Sequence, residues 1–379
     1  MKKLFKIYIP GLVLLGLLFL MLQPNPYFRR ALFYNVADID DYKLFHNRKV
    51  EAGKEKAWKL HSNYNQYKLN QEELNFLNQY QTTAFLVVKD TSVLFESYHH
   101  QFTDSTISNS FSMAKSIVSL LIGVAIAEEK INSVDDYVYQ YIPEFKTGQL
   151  KEITLRHLLT MSSGLKWNES YYNPFSATTK AYYGNELNKL VLKAKVIDPP
   201  GIYFDYITAN TQLLAIILER VTKKTLSKYA SEKLWKPIGA SNDALWSLDQ
   251  KNGVEKAYCC FNANARDFAR IGQLIANKGK WSDKQIIPEN YLSKALMPAY
   301  YLMDEKNEPV DFYGFHWWLG QYKNFMFYYA RGILGQYIIT IPSENLVIVR
   351  LGHKRSRNKI NHHPEEIFGY LDMALKIAH

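Results

Sequence analysis

From Ile117 to Ile126 the sequence reads IVSLLIGVAI, a helical stretch that is apolar almost all the way round. A helix with no polar face to offer water has to be enclosed, so this one is expected to run through the middle of a domain. The chain's 379 residues are enough to enclose it, forming one large or two modest domains with a sizeable core. Whatever fold forms must be wrapped around this helix.

The segments that could wrap it differ in kind along the chain. Thr83 to Val88 and Val93 to Tyr98 are β-rich runs separated by Lys89-Asp90-Thr91-Ser92, a hairpin pattern. From about 140 to 290 helices and loops dominate, and Leu213, Leu214, Ile217, Leu218 and Val221 mark one helical stripe. Beyond 310 strands return, in FYGFHWWLG, GQYIITIP and ENLVIVRLG, the last two about a Pro342-Ser343 turn, and an amphipathic helix closes the chain from Pro364. Strands at both ends with helices between predict an α+β fold whose sheet is assembled from both chain ends, with a mainly helical insertion.

Just before the apolar helix stand Ser112 and Lys115. The same spacing recurs at Ser163/Lys166 and Ser356/Lys359, but Gly164 follows the first and a polar basic run surrounds the second, so only Ser112 opens a strong helix. Three residues apart on a helix, two side chains share a face, and an amine can reach a hydroxyl. A serine needs a neighbouring base to become a nucleophile, and a desolvated lysine amine can be that base. First-turn N–H groups favour the charge that develops on an attacked carbonyl. A capping serine and a solvated lysine would give the same spacing.

The wider pattern favours chemistry. FSMAKS, ITLRHLLTMSSGLKW, PPGIYFDYITANTQLLAIILERV, EKLWKPIGA, CCFNANARDFARIGQL and RGILGQYI follow one another in an order that resembles serine β-lactamase-like hydrolases. The likeness lies on the class C β-lactamase and penicillin-binding-protein side and is closest to 6-aminohexanoate-dimer hydrolase and related carboxylesterases. It runs from about residue 80 to 375 and implies a β-lactamase/transpeptidase-like antiparallel sheet flanked by helices. It also implies Ser112 as nucleophile, Lys115 as its activating partner and Tyr206 as the tyrosine of a Tyr-x-Asn or Tyr-x-Ser element, sharing proton transfer and protonating the leaving group. Thr208 falls at the Asn/Ser position and Tyr329-Ala330-Arg331-Gly332 at the usual Lys-Thr-Gly or His-Thr-Gly. No lysine is available there for a substrate carboxylate, although Arg331 is a candidate. The resemblance further implies an oxyanion hole from the backbone N–H groups of Ser112 and Ile333, and substrate contacts from Thr208, Tyr329, Arg331, Gly332 and Trp167. The expected activity is amide or ester hydrolysis through an acyl-enzyme, with a D-Ala-D-Ala carboxypeptidase or a catalytically silent wall-binding homologue as alternatives. No cofactor is implied.

Other constellations are missing. There is no Gly-x-Ser-x-Gly elbow, zinc-type His-Glu-x-x-His or phosphate-cradling loop, and His99-His100 and His362-His363 lack a metal-ligand pattern. The net charge of +10 is spread along the chain, and its densest run, HKRSRNK at 353–359, lacks interleaved aromatics. Nucleic acid is therefore not the expected partner, and the run is expected to be a solvated or membrane-facing surface. Cys259 and Cys260 are adjacent, which argues against an ordinary disulfide and for two small buried residues. The basic MKKLFK start precedes an uncharged run from Ile7 to Leu22, shorter than the ~20 residues of a full span. Residues 1–30 are expected to be a signal anchor or signal peptide, 31–80 a spacer with some helix, and 81–379 the hydrolase domain, placed outside the cytoplasm.

Overall fold

In the computed structural model the described residues are 2–22, 26–34, 36–54 and 57–379, without the side chains of 2–9 and 19–20. Its centre is a seven-stranded sheet in the order Trp318–Tyr322, Phe325–Gly332, Gln336–Ile341, Leu346–Gly352, Thr82–Lys89, Ser92–Tyr98, Lys59–Leu60. All neighbours are antiparallel except the last pair. The middle of the sheet joins the two ends of the chain, with Val349 opposite Leu86 and Val347 opposite Val88. This is the α+β arrangement expected from strands returning beyond residue 310.

Side chains alternate across a strand, so a sheet covered on both faces needs apolar residues at every position. LVIVRLG and TTAFLVVK have that character, and they serve two cores. Leu86, Val88, Val347 and Val349 face the helix Ala265–Ala276 and share a core with Met113–Ala127, whereas Phe85, Val87, Ile348 and Ile339 face the closing helix Glu366–Ala378. The helix Ala265–Ala276 lies so close to the sheet that a Cβ at Gly272 would fall 2.3 Å from Val347 Cγ1. The predicted hairpin is present, with Asp90 and Thr91 both at positive φ (48° and 64°), the two-residue geometry that matches strand twist.

The apolar helix is Met113–Ala127, and every residue from Met113 to Ala125 is buried. Each enclosed Ile or Leu contributes about 2 kcal/mol of apolar burial, which fixes the helix in place. Thr208–Thr222 packs beside it with Leu213, Leu214, Ile217 and Leu218 enclosed. A second, four-stranded sheet, Asn47–Val50, Ala244–Ser247, Phe261–Ala263 and Ser108–Asn109, brings the chain to the head of the central helix. The stretch from 140 to 290 therefore includes strands as well as helices, and residues 31–80 contribute strands to both sheets.

Two expectations are corrected. FYGFHWWLG becomes a regular strand only from Trp318, because Phe312 to Trp317 form an irregular turn. Cys259 and Cys260 are fully buried as expected, yet their sulfurs are bonded to each other. The Cα atoms are 3.7 Å apart and Cys260 takes a left-handed φ of 68°, an arrangement outside the usual disulfide spacing on which the sequence argument relied. No helix among the described residues is long and apolar enough to cross a membrane. The N-terminal helix Lys2–Met21 exposes Leu12, Leu14 and Leu15, but begins with lysines and contains Pro10.

Candidate active site

The head of the central helix is held by the small sheet. Ser110 N donates to Phe261 O at 2.9 Å, and Phe111 N donates to Asn109 Oδ1 at 2.9 Å. Phe111 is turned to φ 43°, a sparsely populated conformation that tends to persist where surrounding packing imposes it. The next residue, Ser112, is the N-cap by position, but its side chain makes no cap hydrogen bond. The hydroxyl is 3.0 Å from Lys115 Nζ instead. The serine side chain is thus paired with the lysine amine and not with the backbone N–H groups of its helix.

Lys115 is 1% exposed, and among the described residues no carboxylate forms an ion pair with it. Its Nζ donates to Ser112 Oγ and to Tyr258 O, both at 3.0 Å, and lies 5.0 Å from the Tyr206 ring centroid and 5.7 Å from that of Tyr258. His316 lies within electrostatic reach. Its Nε2 meets Thr211 Oγ1 at 3.0 Å, and its carbonyl accepts from Ser116 Oγ at 2.6 Å. Burial, together with the Lys115 charge, pushes the His316 imidazole down to about 3, so this ring stays neutral at working pH.

Tyr206 enters from the loop before Thr208–Thr222 and packs against Trp318 at 5.6 Å and Tyr313 at 6.0 Å. The far side of the cleft is the end of the strand Phe325–Gly332. A Cβ at Gly332 would lie 2.3 Å from Ser110 O, so the absence of a side chain lets this strand end approach the serine turn. Ile333 follows, half-buried, and Leu334 turns the chain at φ 62°.

The remaining sequence candidates divide. Thr208 is fully buried, its N–H and hydroxyl donating to Glu169 Oε2 and Oε1 at 2.7 Å each, so its polar groups are already committed. Arg331 lies 3.2 Å over the Trp318 ring and donates to His362 O at 3.1 Å. Tyr329 is fully buried beneath this layer, its hydroxyl 2.9 Å from His363 Nδ1. Trp167 donates to Thr178 Oγ1 at 2.9 Å and packs on the main core. Ser112, Lys115, Tyr206, Gly332 and Ile333 thus converge, while Thr208, Tyr329 and Trp167 support the surroundings.

Sequence reasoning missed Tyr258, Glu169 and His316. Tyr258 acts through its backbone carbonyl, which no side-chain pattern reveals. Glu169 and His316 lie in segments distant in sequence from their partners. Tyr171 and Tyr258 also have buried hydroxyls with no hydrogen-bond partner among the described residues, and burial raises both phenols well above their ordinary values.

A buried serine–lysine pair at the head of a helix thus faces a tyrosine and a side-chain-free strand end. The chain belongs to the beta-lactamase family, whose pattern matches residues 71–365. Among curated proteins, 6-aminohexanoate-dimer hydrolase of Paenarthrobacter ureafaciens is 27% identical over 229 residues, 57% of each chain. Protein flp of Staphylococcus aureus strain COL is 27% identical over 179 residues, covering 45% of this chain and 36% of its own. The chain thus spans about half or less of the length of these relatives. Among solved structures, a Bacillus anthracis protein provisionally assigned as a 6-aminohexanoate-dimer hydrolase has a TM-score of 0.72 at 22% identity, covering 90% of this chain and 92% of its own. A family VIII carboxylesterase has a TM-score of 0.64 at 17% identity, covering 80% and 96%. These structures share the fold.

Proposed function

We propose that the protein hydrolyses an amide or ester bond through an acyl-enzyme on Ser112. The observation that carries this reading is the enclosed Lys115 Nζ, 3.0 Å from Ser112 Oγ, with the Tyr206 ring 5.0 Å away. Ser112 Oγ attacks the carbonyl carbon as its proton passes to the Lys115 amine. Tyr206, sharing that proton, delivers it to the leaving amine or alcohol as the carbonyl–heteroatom bond breaks. Backbone N–H groups of Ser112 and Ile333 hold the oxyanion, and water then attacks the acyl-enzyme to release the acid. Tyr258 O keeps the lysine aimed at the serine. Curated and structural relatives named for amide and ester hydrolysis support this reading.

Placement outside the cytoplasm belongs to the same proposal. It is supported by the basic start followed by an apolar run, and by a disulfide, a bond that persists mainly in oxidising compartments. The test is labelling by a fluorophosphonate probe with turnover of short-chain nitrophenyl esters and linear amide dimers. Ser112→Ala is expected to abolish labelling and lower turnover by at least about 10⁴-fold. Wild-type protein that stays unlabelled across a range of pH would overturn the proposal. Release of D-alanine from a muropeptide would identify the carboxypeptidase alternative.

A further inference from the structure

The basic run at 353–359 has no assigned role, and it is not an isolated surface feature. Ile333 and Leu334, both part of the loop at the cleft, line a cavity of about 930 Å³ together with Lys354, Arg355, Arg357 and Lys359. Glu365 is the one carboxylate on that lining, and it is engaged by Ser356 Oγ at 2.6 Å and Asn358 Nδ2 at 3.2 Å. None of the four cations forms an ion pair among the described residues. Arg331, at the cleft, stands close enough to influence Lys359, and Glu305 supplies a partial counter-charge from outside.

Such crowding is costly when nothing answers it. Burial, with Arg331 and Arg355 as neighbours, pushes the Lys359 amine below its ordinary value. Burial and Arg331 likewise push the His363 imidazole down to about 3. Some other surface cations do have a carboxylate partner, as in Arg156–Asp135, Arg220–Glu144 and Lys323–Asp372. An anion entering the cavity would relieve the repulsion, and a concave wall carrying one sign of charge focuses its field on the entrant. The volume exceeds the needs of a single carboxylate and suits an extended ligand.

We infer that the cavity beyond Ile333 and Leu334 receives the anionic part of the substrate, which carries more than one carboxylate or phosphate charge, through Lys354, Arg355, Arg357 and Lys359. This rests on the serine-hydrolase reading for the bond that is cut, but the anion site is testable without turnover. The Ser112→Ala protein should bind tri-glutamate or tripolyphosphate at least ten-fold more tightly than the neutral tripeptide triglycine in calorimetry, and the two anions separate the carboxylate from the phosphate source. Arg355→Gln combined with Lys359→Gln should weaken anion binding at least ten-fold, and Arg355→Lys with Lys359→Arg should restore it. In protein with Ser112 intact, the glutaminyl pair should lower the ratio of kcat/KM for nitrophenyl hemiglutarate over nitrophenyl butyrate about ten-fold. Equal binding of anionic and neutral probes would overturn the inference, as would affinity unchanged in the glutaminyl pair. Tighter binding of a single-stranded oligonucleotide or an anionic vesicle than of either short anion would overturn it too. Fluorophosphonate labelling reports separately on the serine, so loss of labelling with anion binding retained would remove only the hydrolase reading.

Discussion

At the floor of the cleft, Lys115 is almost wholly enclosed and spends its donors on Ser112 Oγ and the Tyr258 carbonyl. In the cavity that Ile333 helps to line, the wall carries four cations with no ion-pair partner among the described residues. Both regions hold basic side chains with no carboxylate partner among the described residues, but the first is locked into one geometry by the chain and the second is left open to solvent. Under the proposed function this difference fits bond-breaking at the floor and choice of substrate at the wall, because a reacting amine must be held still whereas a selecting charge has only to be met.

The comparison breaks most readily at Lys115. Lys115→Met keeps the side chain's length and removes its nitrogen, so kcat should fall about 10³-fold with KM little changed. Thermal stability should hold or rise, because a buried polar amine is replaced by an apolar group of similar size. A variant that melts early would show that the floor is structural first.

Salt sharpens the contrast at the wall. Raising ionic strength from 50 to 500 mM should lower kcat/KM for nitrophenyl hemiglutarate about ten-fold through screening, while the butyrate ester changes little. Equal salt responses of the two esters would erase the distinction between floor and wall.

Thr208 tests the scaffold behind the floor. Thr208→Val removes the hydroxyl donor to Glu169 Oε1 and leaves a carboxylate oxygen short of a partner, which should cost about 1–2 kcal/mol in urea unfolding. The smallest effect lies away from both regions, at Glu219, whose carboxyl is pushed up to about 7 by burial and by the Glu255 charge. The native state then holds an extra proton between the ordinary value of 4.5 and about 7. Its contribution to stability is full below about 4.5 and is lost as pH rises through about 7. Glu219→Gln should flatten that decline by about 1 kcal/mol, as read from melting temperature against pH.

How far all this could be read from the chain varied with the range of the interaction. The hairpin, the enclosed helix and the serine–lysine pair depend on neighbours within a few residues, and their patterns were legible. The two-faced sheet was legible because LVIVRLG and TTAFLVVK are apolar at consecutive positions. The grip of Tyr258 O on Lys115 spans more than a hundred residues and uses a backbone atom, so no residue pattern announced it. Thr208 looked available in sequence because Glu169 is distant. The cysteines misled because adjacency usually forbids the bond they form. The basic run was visible as charge, but its position beside Ile333 came only with the fold.

The pairing of Leu346–Gly352 with Thr82–Lys89 has a consequence for how the molecule is made. On a ribosome, the hairpin strand emerges more than 250 residues before its central partner, so one of its edges stays unpaired for most of synthesis. At ~5–20 residues per second that interval is on the order of tens of seconds. A chain whose sheet cannot close until its last tenth arrives remains open through that time, and whatever binds nascent edge strands has a long opportunity to do so.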